Sequence, residues 1–132
     1  MSSLLSSLER LAVFLLPVVL GITCHEVAHG FVAWLNGDPT AKNAGRLTLN
    51  PLRHLDPMGG LVFILTSLMG PFVIGWAKPV PINPAYFRKP RQGLLLVSLA
   101  GPAANFLIAV FFALAFRALL YALESGPGQF GE

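Results

Sequence analysis

The sequence has little charge and only one cysteine. Charged residues make up 11% of the 132 residues and hydrophobic residues 55%, whereas soluble domains contain about 25% charged residues. This composition excludes an ordinary soluble globular domain. Cys24, as the single cysteine, excludes an intrachain disulfide and gives no information about the redox compartment. The net charge of +3 does not indicate nucleic acid binding, because the basic residues lie mainly between apolar runs, where lipid headgroups explain them.

Long apolar stretches dominate instead. Three of them approach or cross the length of a hydrocarbon core, at residues 11–35, 59–77 and 93–116. We therefore predict an all-α membrane protein, with residues 1–132 as a single membrane-embedded domain. It should have about three hydrophobic helices, two or three of them membrane-spanning. The first is expected over about 8–35 and the last over about 91–123.

The segments between these helices have their own signals. Alternation over 45–49 predicts a short β-hairpin-like or extended segment after the first helix. Asp56-Pro57 predicts an N-cap followed by a first-turn proline, opening the second helix at about residue 58. Gly70-Pro71 predicts a break that would leave this helix bent or re-entrant. Residues 76–84 contain too many prolines for a helix and predict an extended connector, while residues 2–9 predict an interfacial lead-in.

The stretch His25-Glu26-Val27-Ala28-His29 is the most informative. On a helix, His25 and His29 lie one turn apart on the same face, so both rings can reach one divalent ion. Glu26 stands beside them as a general base. A lone histidine in an apolar helix is more often a hydrogen-bonded core residue. Three ionisable groups within five residues, each costing roughly 2.5–3.5 kcal/mol at membrane depth, instead favour a Zn²⁺ site.

A third zinc ligand is not evident. Catalytic zinc usually has three protein ligands and an open position. Val32 and Leu35 stand where a metzincin needs glycine and histidine, which excludes that subclass. His54 and Asp56 are the next candidates, but an interfacial loop residue and a helix cap explain them better. Cys24 points about 100° away from its neighbour His25, which favours a buried filler.

Further motifs accompany the histidine pair. They are Gly30 after His29, Gly37-Asp38-Pro39-Thr40-Ala41-Lys42, Gly45-Arg46-Leu47-Thr48-Leu49-Asn50-Pro51, His54-Leu55-Asp56-Pro57, Gly75-Trp76-Ala77-Lys78-Pro79-Val80-Pro81 and Gly101-Pro102-Ala103-Ala104-Asn105. Over nearly the whole chain, this set resembles the site-2 protease family of intramembrane zinc metalloproteases, in its compact prokaryotic branch without a PDZ domain. The resemblance implies a multi-pass protein of the prokaryotic plasma membrane that hydrolyses peptide bonds in or near transmembrane helices of substrate proteins. It also implies that Asn105 lies near the substrate cleft.

One departure from the family pattern bears on activity. The family takes its third zinc ligand from an aspartate in a later helix, and no aspartate follows Asn105 here. We therefore expect a truncated member. The alternatives are a catalytically inactive zinc-binding membrane protein or adaptor, and a homo-oligomer in which a second chain completes the site. A metal transporter is a weaker alternative, because the other helices carry few polar groups. The expected partners are transmembrane substrates and the lipid bilayer.

Overall fold

The computed structural model describes residues 2–69 and 72–125 of the chain. Its elements are α1 (Ser2–Leu35), α2 (Thr40–Asn43), a 3₁₀ helix (Pro51–Arg53), α3 (Pro57–Met69), a second 3₁₀ helix (Pro84–Tyr86) and α4 (Pro90–Glu124). The described part is helical and contains no strand. An isolated antiparallel bridge joins Leu55 to Ala77. The prediction of a helical protein is confirmed over these residues.

Two helices are long and apolar enough to cross a membrane. They are the 23 residues Val13–Leu35 of α1 and the 35 residues of α4, which contain 18-residue windows with mean hydropathies of 1.5 and 2.3, respectively. The 13 residues of α3 would extend only about 20 Å, short of a core of about 30 Å. A third membrane span is therefore not shown. Because no proline or glycine interrupts residues 2–9, α1 already begins at Ser2, and the predicted lead-in is part of the helix.

The start of α3 agrees with the prediction from sequence. Asp56 Oδ1 accepts a hydrogen bond from the backbone N–H of Gly59 at 2.8 Å, and Pro57 is the first helical residue. The predicted break at Gly70-Pro71 lies outside the described residues. From residue 72 to residue 83 the chain is not helical, as predicted for the connector. The connector crosses α3 closely, since a Cβ on Gly59 would lie 2.2 Å from the carbonyl oxygen of Trp76.

The strand or hairpin predicted over 45–49 is not formed. Turns and bends follow α2, and Gly45 has a φ of +64°. Arg46 is buried, and its Nη2 donates to the carbonyl oxygens of Lys78 at 2.6 Å and Pro79 at 3.2 Å. The connector carbonyls thus accept from a side chain rather than from a strand backbone. A guanidinium with several donors can satisfy them without a β ladder, which the alternating pattern alone does not reveal.

The two long helices pack against each other over a small core. Ala33 of α1, Val97 of α4 and Phe87 between them are buried, with Val32 and Ile82 packed alongside. The outward faces carry exposed apolar side chains, as expected for helices that face lipid. The backbone carbonyl of Val97 also contacts His29.

Candidate metal centre

His25 and His29 lie on the face of α1 that contacts α4. Their ring centroids are 4.6 Å apart, with the planes at 82°. A Cβ added at Gly101 of α4 would lie 2.5 Å from the Nε2 atom of each histidine. Both Nε2 atoms therefore converge on one small volume, which is open because residue 101 has no side chain.

The partner of the second ring nitrogen differs between the two histidines. His29 Nδ1 lies 2.6 Å from the carbonyl oxygen of Val97. A carbonyl only accepts, so Nδ1 carries the proton and the lone pair lies on Nε2, as a metal ligand requires. His25 Nδ1 lies 3.3 Å from Nδ2 of Asn105. The Asn105 side-chain amide thus faces the second ring nitrogen of His25, as the Val97 carbonyl faces that of His29.

Two imidazoles of this kind fit a zinc ion as a partial ligand set. The Val97 carbonyl supplies the hydrogen-bond partner that a metal-bound histidine normally has behind it. Within residues 2–69 and 72–125, no group of three histidine, cysteine, aspartate or glutamate side chains could hold a metal. The structure thus provides two candidate ligands and, in its described part, no third.

The two other candidate ligands are occupied elsewhere. His54 is fully buried, and its Nε2 donates to the carbonyl oxygen of Thr48 at 2.8 Å. Asp56 caps α3. Cys24 is half-buried. The sequence-based preference for non-ligand roles at His54 and Asp56 agrees with these contacts.

Glu26 is held by the connector. Its Oε2 accepts a hydrogen bond from the backbone N–H of Val80 at 2.9 Å. Val80 itself is buried, and its side chain would lie 3.0 Å from a Cβ on Gly30. Close packing of the connector against α1 at Gly30 thus brings the Val80 N–H to the Glu26 carboxylate. A general base needs one available oxygen, and this contact engages only Oε2.

Asp38 anchors the connector to the end of α1. Its buried carboxylate accepts from the backbone N–H of Asn83 at 2.6 Å, from the backbone N–H of Thr40 at 2.9 Å and from the Thr40 hydroxyl. Gly37 precedes it with a φ of +108°, and a Cβ there would lie 2.8 Å from the carbonyl oxygen of Tyr86. These contacts determine where the connector runs and therefore where Val80 meets Glu26.

The Asp38 contacts predict acid sensitivity. Burial alone would raise the pKa of this carboxyl, but the hydrogen bonds from Thr40 and Asn83 outweigh burial and lower it. A pKa that is lower in the folded than in the unfolded chain stabilises the fold above the unfolded value of about 3.9. That stabilisation is lost as the pH falls through the folded value. We expect Asp38→Asn to reduce the fall in thermal stability below about pH 4, measured by thermal unfolding in detergent.

The exposed carboxylate of Glu9 provides the control for this measurement. A Glu9→Gln variant should keep the acid dependence of the unmodified chain. If the Asp38→Asn variant showed the same acid dependence as the unmodified chain, Asp38 would not be the source of the acid sensitivity.

Asn105 lies between His25 and an apolar groove of about 420 Å³. The groove runs between α1 and α4 and is lined by Leu16, Pro17, Leu20, Gly21, Asn105, Ile108, Ala109 and Phe112. Asn105 is the polar residue of this lining. The structure therefore brings together His25, His29 and Asn105 of the residues singled out from the sequence, whereas the Glu26 carboxylate contacts the connector.

Sequence reasoning missed the contributions of Val97 and Val80. Both act through the backbone, with a carbonyl on His29 and an N–H on Glu26. A side-chain motif cannot reveal such contacts. The sequence offered only indirect signals for these contacts, namely the predicted extended connector and the small residue at position 101.

The chain is similar to proteins whose names describe zinc metalloproteases. It is 39% identical over 130 residues to "Putative zinc metalloprotease YwhC" of Bacillus subtilis, covering 93% of this chain and 57% of that protein. It is 37% identical over 108 residues to "Putative zinc metalloprotease Rip2" of Mycolicibacterium smegmatis, covering 78% and 40% of the two chains. A Mycobacterium tuberculosis protein of the same name is 35% identical over 103 residues, covering 76% and 38%.

The chain spans about half the length of these curated relatives. No family model matches it, and no solved structure matches it significantly. The identities of 35–39% to proteins of this name support a zinc metalloprotease family for the chain.

Proposed function

We propose that this chain is the membrane-embedded core of a site-2-type zinc metalloprotease, which hydrolyses peptide bonds in or near transmembrane helices of other proteins. The observation that carries the proposal is the convergence of the His25 and His29 Nε2 atoms at Gly101, on the same helix that carries Glu26. The relatives' names support the zinc protease chemistry. The site-2 type rests on the position of the motif in a helix apolar enough to span a membrane, and on the Gly101 to Asn105 element.

Each site residue has a role in this proposal. His25 and His29 hold the zinc ion. Bound zinc lowers the pKa of a coordinated water towards about 7 and polarises the peptide carbonyl. Glu26 accepts the proton of the attacking water and passes it to the departing amine. The Val80 N–H keeps the carboxylate in place through Oε2, so Oε1 is the oxygen that exchanges the proton.

The substrate must reach this site as an unwound segment. A transmembrane helix satisfies its backbone groups internally, so its peptide bonds are inaccessible until the helix opens locally. The groove beside Asn105 has apolar walls suited to a hydrophobic segment and one amide that can bind a peptide group. We therefore assign Asn105 to substrate binding. A multi-pass location in the plasma membrane follows from the same proposal.

A zinc-binding membrane protein without protease activity is the second candidate. It is favoured by the finding that residues 2–69 and 72–125 supply no third ligand. A homo-oligomer in which a second chain completes the site is a different case. It would show protease activity and an assembly larger than one chain, whereas the inactive zinc-binding protein would show no activity.

Metal removal tests the proposal. The purified chain in detergent should bind about one zinc and cleave a synthetic transmembrane peptide. Chelation should reduce cleavage to background, and added zinc should restore it, because the water is activated only when metal is bound. Elemental analysis measures the bound zinc, and mass spectrometry of the products measures cleavage. Bound zinc without cleavage would favour the second candidate, and cleavage that resists chelation would contradict a zinc protease.

A further inference from the structure

Glu26 and Arg46 contact opposite sides of the same peptide group. The Val80 N–H donates to Glu26 Oε2 at 2.9 Å, and the carbonyl oxygen of Pro79 accepts from Arg46 Nη2 at 3.2 Å. This C=O and this N–H belong to one trans peptide bond, in which they point in opposite directions. We propose that Arg46 is a positioning residue that holds the Glu26 carboxylate through this peptide group. The inference rests on the proposed protease function, because it gives Arg46 a role in placing the general base.

The guanidinium helps to set the orientation of this peptide group. Arg46 Nη2 also donates to the carbonyl oxygen of Lys78 at 2.6 Å, so one nitrogen bridges two successive carbonyls of the connector. The Lys78 N–H in turn donates to the carbonyl oxygen of His54 at 2.9 Å. A proline on either side of Val80 restricts the backbone further. The Val80 N–H is therefore directed at Glu26 by contacts on the far side of the peptide.

The burial of Arg46 indicates that packing alone does not explain this residue. Its side chain is 7% exposed, its Nη2 donates to uncharged backbone carbonyls, and its Nε has no partner among the residues that the structure describes. Burying a guanidinium in this way costs free energy, because water no longer solvates the charge. An apolar side chain would fill the space without this cost. The cation supplies what an apolar side chain cannot, namely a strong donor to the peptide carbonyl.

A chain of hydrogen bonds thus runs from the Arg46 guanidinium through one peptide group to Glu26 Oε2. It begins at a cation and ends at a carboxylate, and hydrogen bonds in such a chain strengthen one another. The chain restricts rotation of the Glu26 side chain while Oε1 stays available for proton exchange. A displacement of a catalytic group by about 1 Å can cost about 100-fold in rate. Loss of the Arg46 donor should therefore slow the chemical step rather than weaken zinc binding.

Cleavage kinetics of Arg46 variants test the positioning role. Arg46→Met removes the donors and should lower kcat for a transmembrane peptide about 10- to 100-fold, with KM and zinc affinity nearly unchanged. Arg46→Lys keeps a cationic donor and should recover most of the rate. Arg53→Met removes an exposed arginine instead and should have no effect. In the Glu26→Gln background, Arg46→Met should cause little further loss, because the effects of residues that act as a unit are not additive.

The Val80 amide proton reports the contact with Glu26 without requiring catalysis. Carbon-13 labelling of proline carbonyls with nitrogen-15 labelling of valine selects the amides of Val18 and Val80, because these are the valines that follow a proline in the sequence. A charged acceptor shifts an amide proton to higher frequency. We therefore expect the Val80 proton resonance to move to lower frequency in both Glu26→Gln and Arg46→Met. The Val18 resonance, from within α1, should stay in place and shows that each variant keeps its fold.

The outcomes distinguish this inference from the proposed function. An unchanged Val80 resonance or an unchanged kcat in Arg46→Met would overturn the positioning role while leaving the zinc protease intact. Equal losses in Arg46→Met and Arg46→Lys, or loss of zinc together with activity, would also overturn it, because a role in the fold would explain them. An unmodified chain that neither binds zinc nor cleaves would overturn the proposed function and this role together. Rescue by lysine, with only the Val80 resonance shifted in Arg46→Met, would support the inference.

Discussion

A Gly101→Ala variant is expected to lose zinc affinity by about 100-fold or more, beyond the usual effect of losing an outer-shell partner. The new Cβ would lie 2.5 Å from the Nε2 atoms of both His25 and His29. Such a distance is well inside van der Waals contact, so both rings would have to move away from their common point. Alanine forms helix better than glycine by up to about 1 kcal/mol, so α4 itself should be retained.

The Gly60→Ala variant is the matched control. It makes the same change within α3, where a Cβ would meet nothing within 4 Å. Zinc titration in detergent should show unchanged affinity for this variant and a large loss for Gly101→Ala. Equal affinity in the two variants would show that the open space at Gly101 is not where the metal binds.

A Glu26→Gln variant is expected to lose about 10²- to 10⁴-fold in cleavage rate, the range associated with general acid–base catalysis. An amide cannot take the proton of the attacking water. Its carbonyl oxygen can still accept from the Val80 N–H, so the connector should keep its position. Zinc occupancy should therefore stay close to that of the unmodified chain.

Cleavage of a transmembrane peptide and elemental analysis of the same samples measure these two quantities. Glu9→Gln makes the same chemical change at an exposed position of α1 and should leave both unaffected. If Glu26→Gln cleaved at the original rate, Glu26 would not be the base. Loss of zinc together with activity would indicate that the carboxylate supports the metal site instead.

Local sequence signals predicted much of the helical architecture. The last helix was expected over about 91–123 and forms Pro90–Glu124, and Asp56-Pro57 opens α3 as expected. These features depend on neighbouring residues, through apolar length, a capping carboxylate and a proline at the first turn. The strand or hairpin over 45–49 is not formed, and Arg46 within this segment instead makes non-local contacts with the carbonyl oxygens of Lys78 and Pro79.

The sequence by itself determined that His25 and His29 share one face of a helix, because a spacing of four residues has this result in any α-helix. It also determined the chemistry available there, namely two imidazoles and a carboxylate in an apolar segment. Only the tertiary structure decided what that face meets. The Val97 carbonyl, the Asn105 amide and the Val80 N–H lie 68, 80 and 54 residues away from the groups that they contact. Such contacts depend on how α4 and the connector pack on α1, and this packing sets the hydrogen-bond partners of the site and the space at Gly101.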